Sequence, residues 1–179
     1  MQTYLAFLRG INVGGHNKIP MQDLRQLLDD LSFKAVKTYI QTGNIVFKSS
    51  EIDKQVLESK IKTAILNQFN FQIPVLIKTP EEIHSILERC PFNTDEKQNS
   101  YFALLFAKVT KQQKEAISSY SFPNEKFQLI NNCIYLYSST GYGRAKANNN
   151  FFEKKLNITA TTRNYKTLIK LIELSNTVV

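Results

Sequence analysis

The sequence has few of the residue types that build metal centres or disulfide scaffolds. Its 179 residues include two cysteines, two histidines and no tryptophan. No pair of these cysteines and histidines has the spacing of zinc ligands, so a structural metal site is not expected. Neither Cys90 nor Cys133 lies in a glycine-rich or basic context that would activate a thiol as a nucleophile.

Long apolar runs are also missing. The longest spans residues 101–107, seven residues, whereas a membrane helix needs about 20. The apolar run at residues 4–8 has no basic region before it, so it is typical of a strand and not of a signal peptide. We therefore expect a cytoplasmic protein with no membrane partner, and the length fits one domain or two small ones.

Acidic residues are outnumbered, with 15 against 23 lysines and arginines, which gives a formal net charge of +8. Residues 139–179 hold seven cations and two acids, a net +5 and most of the surplus. Such a positive net charge suits an anionic partner. The candidates are a nucleic acid, a nucleotide and a phosphorylated small molecule. The alternative is that the charge only keeps a small protein in solution.

The hydrophobic pattern of residues 1–78 predicts a β-α-β-β-α-β order, the ferredoxin-like unit. The strands are expected at residues 2–8, 35–40, 44–48 and 74–78, and the helices at 21–31 and from about 50. Residues 79–100 predict a capped helix followed by a polar connector.

The same element order is expected to return in residues 101–179. The elements are strands at 101–109, 126–130, 133–138 and 157–161, and helices at about 110–120, 149–156 and 165–174. The predicted fold class is therefore α+β, with two ferredoxin-like α–β plait subdomains, the βαββαβ topology repeated, and antiparallel sheets.

All six glycines fall in three predicted loops, and each loop carries cations or amides. A fourth polar run, residues 161–166, precedes the last helix. Glycine-rich backbone beside arginine and lysine is a common cradle for phosphate or carboxylate, although none of the runs is a P-loop or a dinucleotide fingerprint. The predicted ligand-binding residues are Arg9, Asn12, Gly14, Gly15, Asn44, Gly143, Arg144, Lys146, Arg163 and Asn164. Ordinary turn structure is the alternative, and it suits Gly43 best.

We expect the four motifs to converge, so that Arg9, Asn44, Arg144 and Arg163 border one concavity. Among these residues Arg163 is expected to contribute most to anion binding, since it precedes a helix whose first N–H groups and dipole favour the same anion. The competing interpretation is that Arg163 serves the fold, by tying the last helix to a loop or to a buried carboxylate.

Catalytic residues are not evident. No Asp or Glu lies inside any of the four runs, so paired carboxylates for acid–base chemistry or for Mg²⁺ are missing there. His16 follows the first glycine loop and is a possible base or phosphate donor, although a loop histidine is more often an exposed polar residue. The sequence identifies no cofactor.

The motifs together resemble a known bacterial family. They are Leu-Arg-Gly-Ile-Asn-Val-Gly-Gly at residues 8–15, residues 38–47 around Thr-Gly-Asn, Gly-Tyr-Gly-Arg-Ala-Lys at 141–146, and residues 160–167 around Thr-Thr-Arg-Asn. This set is similar to the family called domain of unknown function 1697. That family often has serine where Thr42 and Ala145 stand and tryptophan where Tyr165 stands. The resemblance implies two α–β plait subdomains and no particular activity.

Four functions remain open at this point. A binding module for a phosphorylated small molecule or nucleotide is favoured, ahead of a nucleic-acid-binding protein whose sheet presents aromatics to bases. A transferase or hydrolase acting on a phosphorylated substrate, with His16 as its base, comes third. The last is an interaction protein with no small-molecule site.

Overall fold

The computed structural model describes residues 1–177 and divides into two compact units. Unit 1 comprises Met1–His84 together with the segment from Ile169 onward, and unit 2 comprises Ser85–Leu168. No helix in residues 1–177 is long and apolar enough to cross a bilayer. The subdomain boundaries expected at residues 78 and 100 stay predictions.

Unit 1 contains a four-stranded antiparallel sheet in the order β2-β3-β1-β4. Its elements are β1 (Gln2–Leu8), α1 (Met21–Asp30), β2 (Lys34–Tyr39), β3 (Asn44–Ser49), α2 (Lys54–Phe69), β4 (Val75–Lys78) and the beginning of α3 (Pro80–Glu88).

The helices of unit 1 pack on one face of this sheet. Alternate residues of β1, including Tyr4 and Leu8, share a hydrophobic core with Leu24 of α1 and Ile61 of α2. The intervening residues of β1 are buried as well, which is why the strand is apolar without alternation. Asp53 caps α2 by accepting a hydrogen bond from the N–H of Gln55 at 2.8 Å. The helix therefore begins at Lys54 and not near residue 50, where the sequence analysis expected it.

Unit 2 contains a second four-stranded antiparallel sheet, in the order β6-β7-β5-β8. Its elements are α4 (Thr94–Gln98), β5 (Tyr101–Leu105), α5 (Lys111–Ser118), β6 (Glu125–Ile130), β7 (Cys133–Ser138), α6 (Asn149–Leu156), β8 (Ala160–Asn164) and the beginning of α7 (Tyr165–Asn176). Ile117 of α5 and Phe152 of α6 join the core formed by alternate residues of β5 and β7.

The expected α+β class with two antiparallel sheets is confirmed, but three elements differ from the prediction in addition to the later start of α2. The polar connector contains α4, because the side chain of Asn93 caps it. Strand β5 ends at Leu105 and not at residue 109. The last strand was expected at 157–161 and lies at Ala160–Asn164, because the left-handed Asn157 ends α6 and β5 pairs with the later segment.

Candidate functional site

The first two glycine motifs meet at one end of the unit 1 sheet. The backbone N–H of Leu8 donates to the carbonyl of Gly43 at 2.8 Å, which joins the end of β1 to the β2–β3 turn. The side-chain Nδ2 of Asn12 donates to the carbonyl of Gln41 at 2.8 Å. The loop between β1 and α1, residues 9–20, is therefore fixed against the turn between β2 and β3.

Asn12 organises that loop. Its Nδ2 donates to the carbonyl of Ile19 at 2.9 Å, and its Oδ1 accepts from the N–H of Ile19 at 2.9 Å. At the tip, Val13 and His16 pair as an isolated bridge around Gly14 and Gly15, whose φ angles are +58° and +80°. Two successive positive φ angles define a tight two-residue turn, which explains the glycine pair structurally. His16 is exposed at this turn.

Asn44 and Gly43 hold the neighbouring turn. Asn44 is fully buried, and its Nδ2 donates to the carbonyl of Tyr39 and to Oγ1 of Thr42. Gly43 has φ of +76°, and a Cβ added there would lie 2.6 Å from the Cβ of Leu8. The predicted site residue Asn44 therefore positions the turn and has no solvent-accessible surface of its own.

A hollow of about 550 Å³ opens between the glycine loop, the β2–β3 turn and the start of α1. Its lining residues are Asn12, Gly15, Lys18, Ile19, Pro20, Met21, Gln22 and Gln41. Pro20 occupies the N-cap position of α1, and no side chain caps this helix. The positive end of the α1 dipole and the exposed Lys18 therefore both act on this hollow.

The third and fourth motifs also meet, at one end of the unit 2 sheet. The ring of Tyr142, in the loop of residues 139–148, stacks on Tyr101 with ring centroids 4.3 Å apart. Tyr101 lies opposite Asn164 in the β5–β8 pair. In addition, Oγ1 of Thr162 donates to Oδ1 of Asn149 at 2.7 Å, so β8 and the start of α6 are joined.

An internal carboxylate occupies the backbone donors of the loop 139–148. The N–H groups of Lys146 and Ala147 donate to the two carboxylate oxygens of Glu125, each at 2.8 Å. The side chains of Arg144 and Lys146 are exposed. The role of Glu125 was not predicted from the sequence. Glu125 lies 21 residues before Lys146, whose N–H it accepts from, and no local sequence pattern indicates this contact.

Arg163 and Asn164 take part in the fold of unit 2. Arg163 is 8% exposed, and its Nη1 donates to Oγ1 of Thr161 at 2.8 Å and to the carbonyl of Thr162 at 2.9 Å. Asn164 caps α7 by accepting from the N–H of Thr167 at 2.8 Å. The N–H of Tyr165 donates to the carbonyl of Ser100. The start of α7 is thus largely satisfied by protein acceptors, which favours the structural interpretation of Arg163.

The structure brings the four predicted motifs together two by two, one pair in each unit. Their convergence on a single concavity stays a prediction. Lys18, Gln41 and the uncapped start of α1 were not among the predicted site residues. A positively charged residue two positions before a proline N-cap was the available signal for them. The side chain of proline has no oxygen that could accept a hydrogen bond from the first N–H groups of the helix, although its carbonyl accepts from the N–H of Leu24.

Thiol chemistry is disfavoured by the surroundings of the cysteines. Burial raises the pKa of the Cys90 thiol, and the opposing effects of the Phe92 backbone and of the Lys97 charge do not cancel that rise. Cys133 is buried. Since the thiolate is the nucleophile, a raised pKa makes Cys90 less reactive at neutral pH.

Comparison with known proteins places the chain in a family. A solved structure described as the conserved bacterial protein SP0830 from Streptococcus pneumoniae is 26% identical, with a TM-score of 0.77 over 97% of this chain and 98% of that one. Comparison with curated proteins finds no match. The family model described as "Protein of unknown function (DUF1697)" matches residues 1–135, which include the first two glycine motifs. The chain therefore belongs to this family, as the motifs in its sequence indicated.

Proposed function

We propose that the protein binds a phosphorylated small molecule or a nucleotide in the hollow of unit 1, and that it does so in the cytoplasm. The observation that carries the proposal is the composition of this hollow. It combines glycine-loop backbone, Lys18 and the uncapped start of α1, and none of its lining residues within residues 1–177 is acidic. Each of these features favours an anion. The volume of about 550 Å³ also lies in the range of small-molecule sites, roughly 300–1,000 Å³.

The predicted site residues divide by role in this proposal. Gly14 and Gly15 shape the loop, Asn12 and Asn44 hold it and the adjacent turn, and Arg9 follows β1 at the same end of the sheet. In unit 2 the exposed side chains of Arg144 and Lys146, beside Gly143, are the proposed contacts to an anion. Arg163 and Asn164 stabilise β8 and the start of α7 and make no direct contact with the anion in this proposal.

The strand order supports a finer description of the fold. In each unit the four strands follow the same order, and the two helices share a core with one face of the sheet. We infer that each unit is a ferredoxin-like α–β plait.

Calorimetric titration of the full chain with nucleoside monophosphates and sugar phosphates tests the proposal. Lys18→Gln should weaken binding about 5- to 10-fold, which is about 1–1.4 kcal/mol and lies within the net range of about 0.5–1.5 kcal/mol for a typical hydrogen bond. Asp23→Asn should strengthen binding, because Asp23 places a negative charge in the first turn of α1.

The matched control for Lys18→Gln is Lys60→Gln, which removes an exposed lysine on α2 of the same unit. It should leave the affinity unchanged. Equal affinities for Lys18→Gln and the unsubstituted chain would contradict the placement of the anion at this hollow.

Nucleic-acid binding is the second candidate, and the charge of unit 2 favours it. Residues 85–168 contain 12 lysines and arginines and six acids, so unit 2 carries +6 of the net +8. Binding to many phosphates would weaken steeply with salt, with a slope near −0.9 per phosphate contacted on duplex DNA. A shallow salt dependence with mononucleotide binding would favour the first candidate.

A further inference from the structure

Strand β6 lies at the edge of the unit 2 sheet, and one side of its backbone is unpaired. Its hairpin with β7 turns through two residues, so Ile130 and Cys133 form a hydrogen-bonded pair beside the turn. Because hydrogen-bonded and non-hydrogen-bonded pairs alternate, the backbone N–H and C=O groups of Phe127 and Leu129 point away from β7. Within residues 1–177 these groups have no hydrogen-bond partner.

The other three sheet edges of the two units are protected against pairing with a further strand. The N–H of Ile77 on β4 and the N–H of Ala160 on β8 each donate to a glutamate of a helix, at 3.0 and 2.9 Å. Strand β2 is irregular, with a register shift after Lys34 and a left-handed φ of +51° at Ala35. Covered donors and irregular register are common protections of an edge strand. In the described part of the chain β6 has neither, since its six residues pair with β7 in one uninterrupted register.

Aromatic side chains lie partly exposed along the same edge. Phe127 of β6 and Phe122 just before the strand pack against the hydrophobic core of unit 2, with ring centroids 6.5 Å apart. Both rings are only partly buried. An apolar side chain placed opposite Phe127 by an added strand would therefore extend this core, while the backbone of the added strand paired with the open N–H and C=O groups.

The side chains on the two faces of β6 indicate which strand fits. Phe127 on the core face favours an apolar residue opposite it, and the exposed Lys126 on the other face disfavours a positive charge opposite it. A second copy of β6, antiparallel and with Phe127 opposite Phe127, meets both conditions. In this register Lys126 lies opposite Gln128 of the second copy, whose side-chain carbonyl can accept from the ammonium group. A shift of the two-fold axis to Lys126 would bring two lysines together.

We infer that β6 is a pairing surface for a second copy of this chain, with the two β6 strands antiparallel about a two-fold axis at Phe127. The N–H of Phe127 then donates to the carbonyl of Phe127 in the second copy, and the N–H of Leu129 donates to that of Glu125. Such an interface is closed, because each copy uses the same surface. One strand pair is smaller than a standard interface, so the dimer should be weak and dependent on concentration. The inference is independent of the proposed function, since no residue of β6 lines the hollow of unit 1.

Sedimentation equilibrium of the full chain tests the self-association. The weight-average mass should rise from 20.6 kDa at low micromolar concentration toward twice that value at millimolar concentration. Gln128→Lys creates two pairs of opposed lysines by symmetry, so it should raise the dissociation constant of the dimer about 3- to 10-fold. Gln128→Glu places opposite charges there and should lower the dissociation constant by a similar factor. Gln128 is exposed, so the fold of the monomer should tolerate both changes.

The matched controls are Gln112→Lys and Gln112→Glu. Gln112 is an exposed glutamine on α5 of the same unit, so these variants change the net charge equally at a position outside β6. Both should leave the dissociation constant nearly unchanged. Equal effects at positions 112 and 128 would show that net charge and not strand pairing controls the association, and would overturn the assignment to β6.

Amide hydrogen exchange locates the interface. Protection of the N–H groups of Phe127 and Leu129 should rise several-fold between low and high concentration, as they become paired. The N–H of Gln128, which pairs with Tyr135 of β7, should be protected at both concentrations. Association without added protection at Phe127 and Leu129 would overturn the inference.

A mass of 20.6 kDa at every concentration would also overturn it. If an added extended peptide then protected the same two amides, the edge would be assigned to a strand of another protein and not to a second copy.

Discussion

Units 1 and 2 share one element order but place their glycines in different connections. In unit 1 the glycine-rich loop of residues 9–20 follows the first strand, whereas the equivalent connection in unit 2, residues 106–110, has no glycine. In unit 2 the glycines follow the third strand, in the loop 139–148, where unit 1 has only residues 50–53. Since the first and third strands of each sheet are antiparallel, these connections lie at opposite ends of the sheet. The repeated order thus sets the scaffold and leaves the position of the functional loop free.

One side-chain contact is nevertheless common to both units. The fifth residue of the second helix is a glutamate in each, Glu58 in α2 and Glu153 in α6. Glu58 accepts from the N–H of Ile77 in edge strand β4 at 3.0 Å, and Glu153 accepts from the N–H of Ala160 in edge strand β8 at 2.9 Å. Each glutamate occupies a donor that would otherwise be open to pairing with another strand. This contact occurs at equivalent positions of the two units, whereas the glycine-rich loops occur at different positions.

The largest effect that would sharpen the comparison is expected for Gly43→Ala in unit 1. The new Cβ would lie 2.6 Å from the Cβ of Leu8, at a φ of +76°. Strain and overpacking together should lower the free energy of unfolding by about 2–4 kcal/mol, measured by urea denaturation.

Two alanine substitutions in unit 2 are the controls for Gly43→Ala. At Gly141 the φ is +87° but nothing lies within 4 Å of the added Cβ, so Gly141→Ala should cost only about 1 kcal/mol of backbone strain. Gly143 has open space and no positive φ, so its alanine variant should be nearly neutral. Equal losses at positions 43 and 141 would show that close packing against Leu8 does not matter.

Arg163→Ala is expected to have the next largest effect. The buried guanidinium donates to Thr161 and Thr162, and its loss should lower the free energy of unfolding by about 1.5–3 kcal/mol. Arg144→Ala, which removes an exposed arginine of the same unit, should change stability by less than about 0.5 kcal/mol. If Arg163→Ala melts like the unsubstituted chain but binds nucleotides weakly, the sequence-based expectation of an anion-binding arginine is correct.

The smallest effects are expected for the two edge-strand glutamates. Glu58→Gln and Glu153→Gln keep an acceptor oxygen but remove its charge, so each should cost about 0.5–1.5 kcal/mol in urea denaturation. Similar losses would show that the two units depend on this contact to the same extent. A loss in only one variant would break the equivalence of the two contacts.

The order of strands and helices along the chain, and most helix positions, were predictable because they depend on local hydrophobic periodicity and on helix caps. Asn149–Leu156 and Cys133–Ser138 have the predicted bounds, and Asn131 has the left-handed φ expected for its turn. The strand at 160–164 was not predictable, since its polar residues are buried by pairing with β5, a contact between distant segments.

The candidate site was predictable only in part for a similar reason. Glycines and asparagines mark loops in a sequence, but they do not reveal which polar atoms the fold itself will use. Asn12, Asn44 and Arg163 make hydrogen bonds to the loops and strands around them. The hollow near Lys18 depends on how two separate loops pack, and no single motif contains that information.

The carboxylate of Glu125 acts as a tethered competitor for the loop 139–148. Because Glu125 is part of the same chain, it is presented to the N–H groups of Lys146 and Ala147 at an effective concentration far above that of any anion in solution. A dissolved phosphate would have to displace it from both N–H groups at once. These two amides should therefore exchange their hydrogens slowly whether or not phosphate is present. An anion that reaches this loop can then contact only the side chains of the loop and not these two N–H groups.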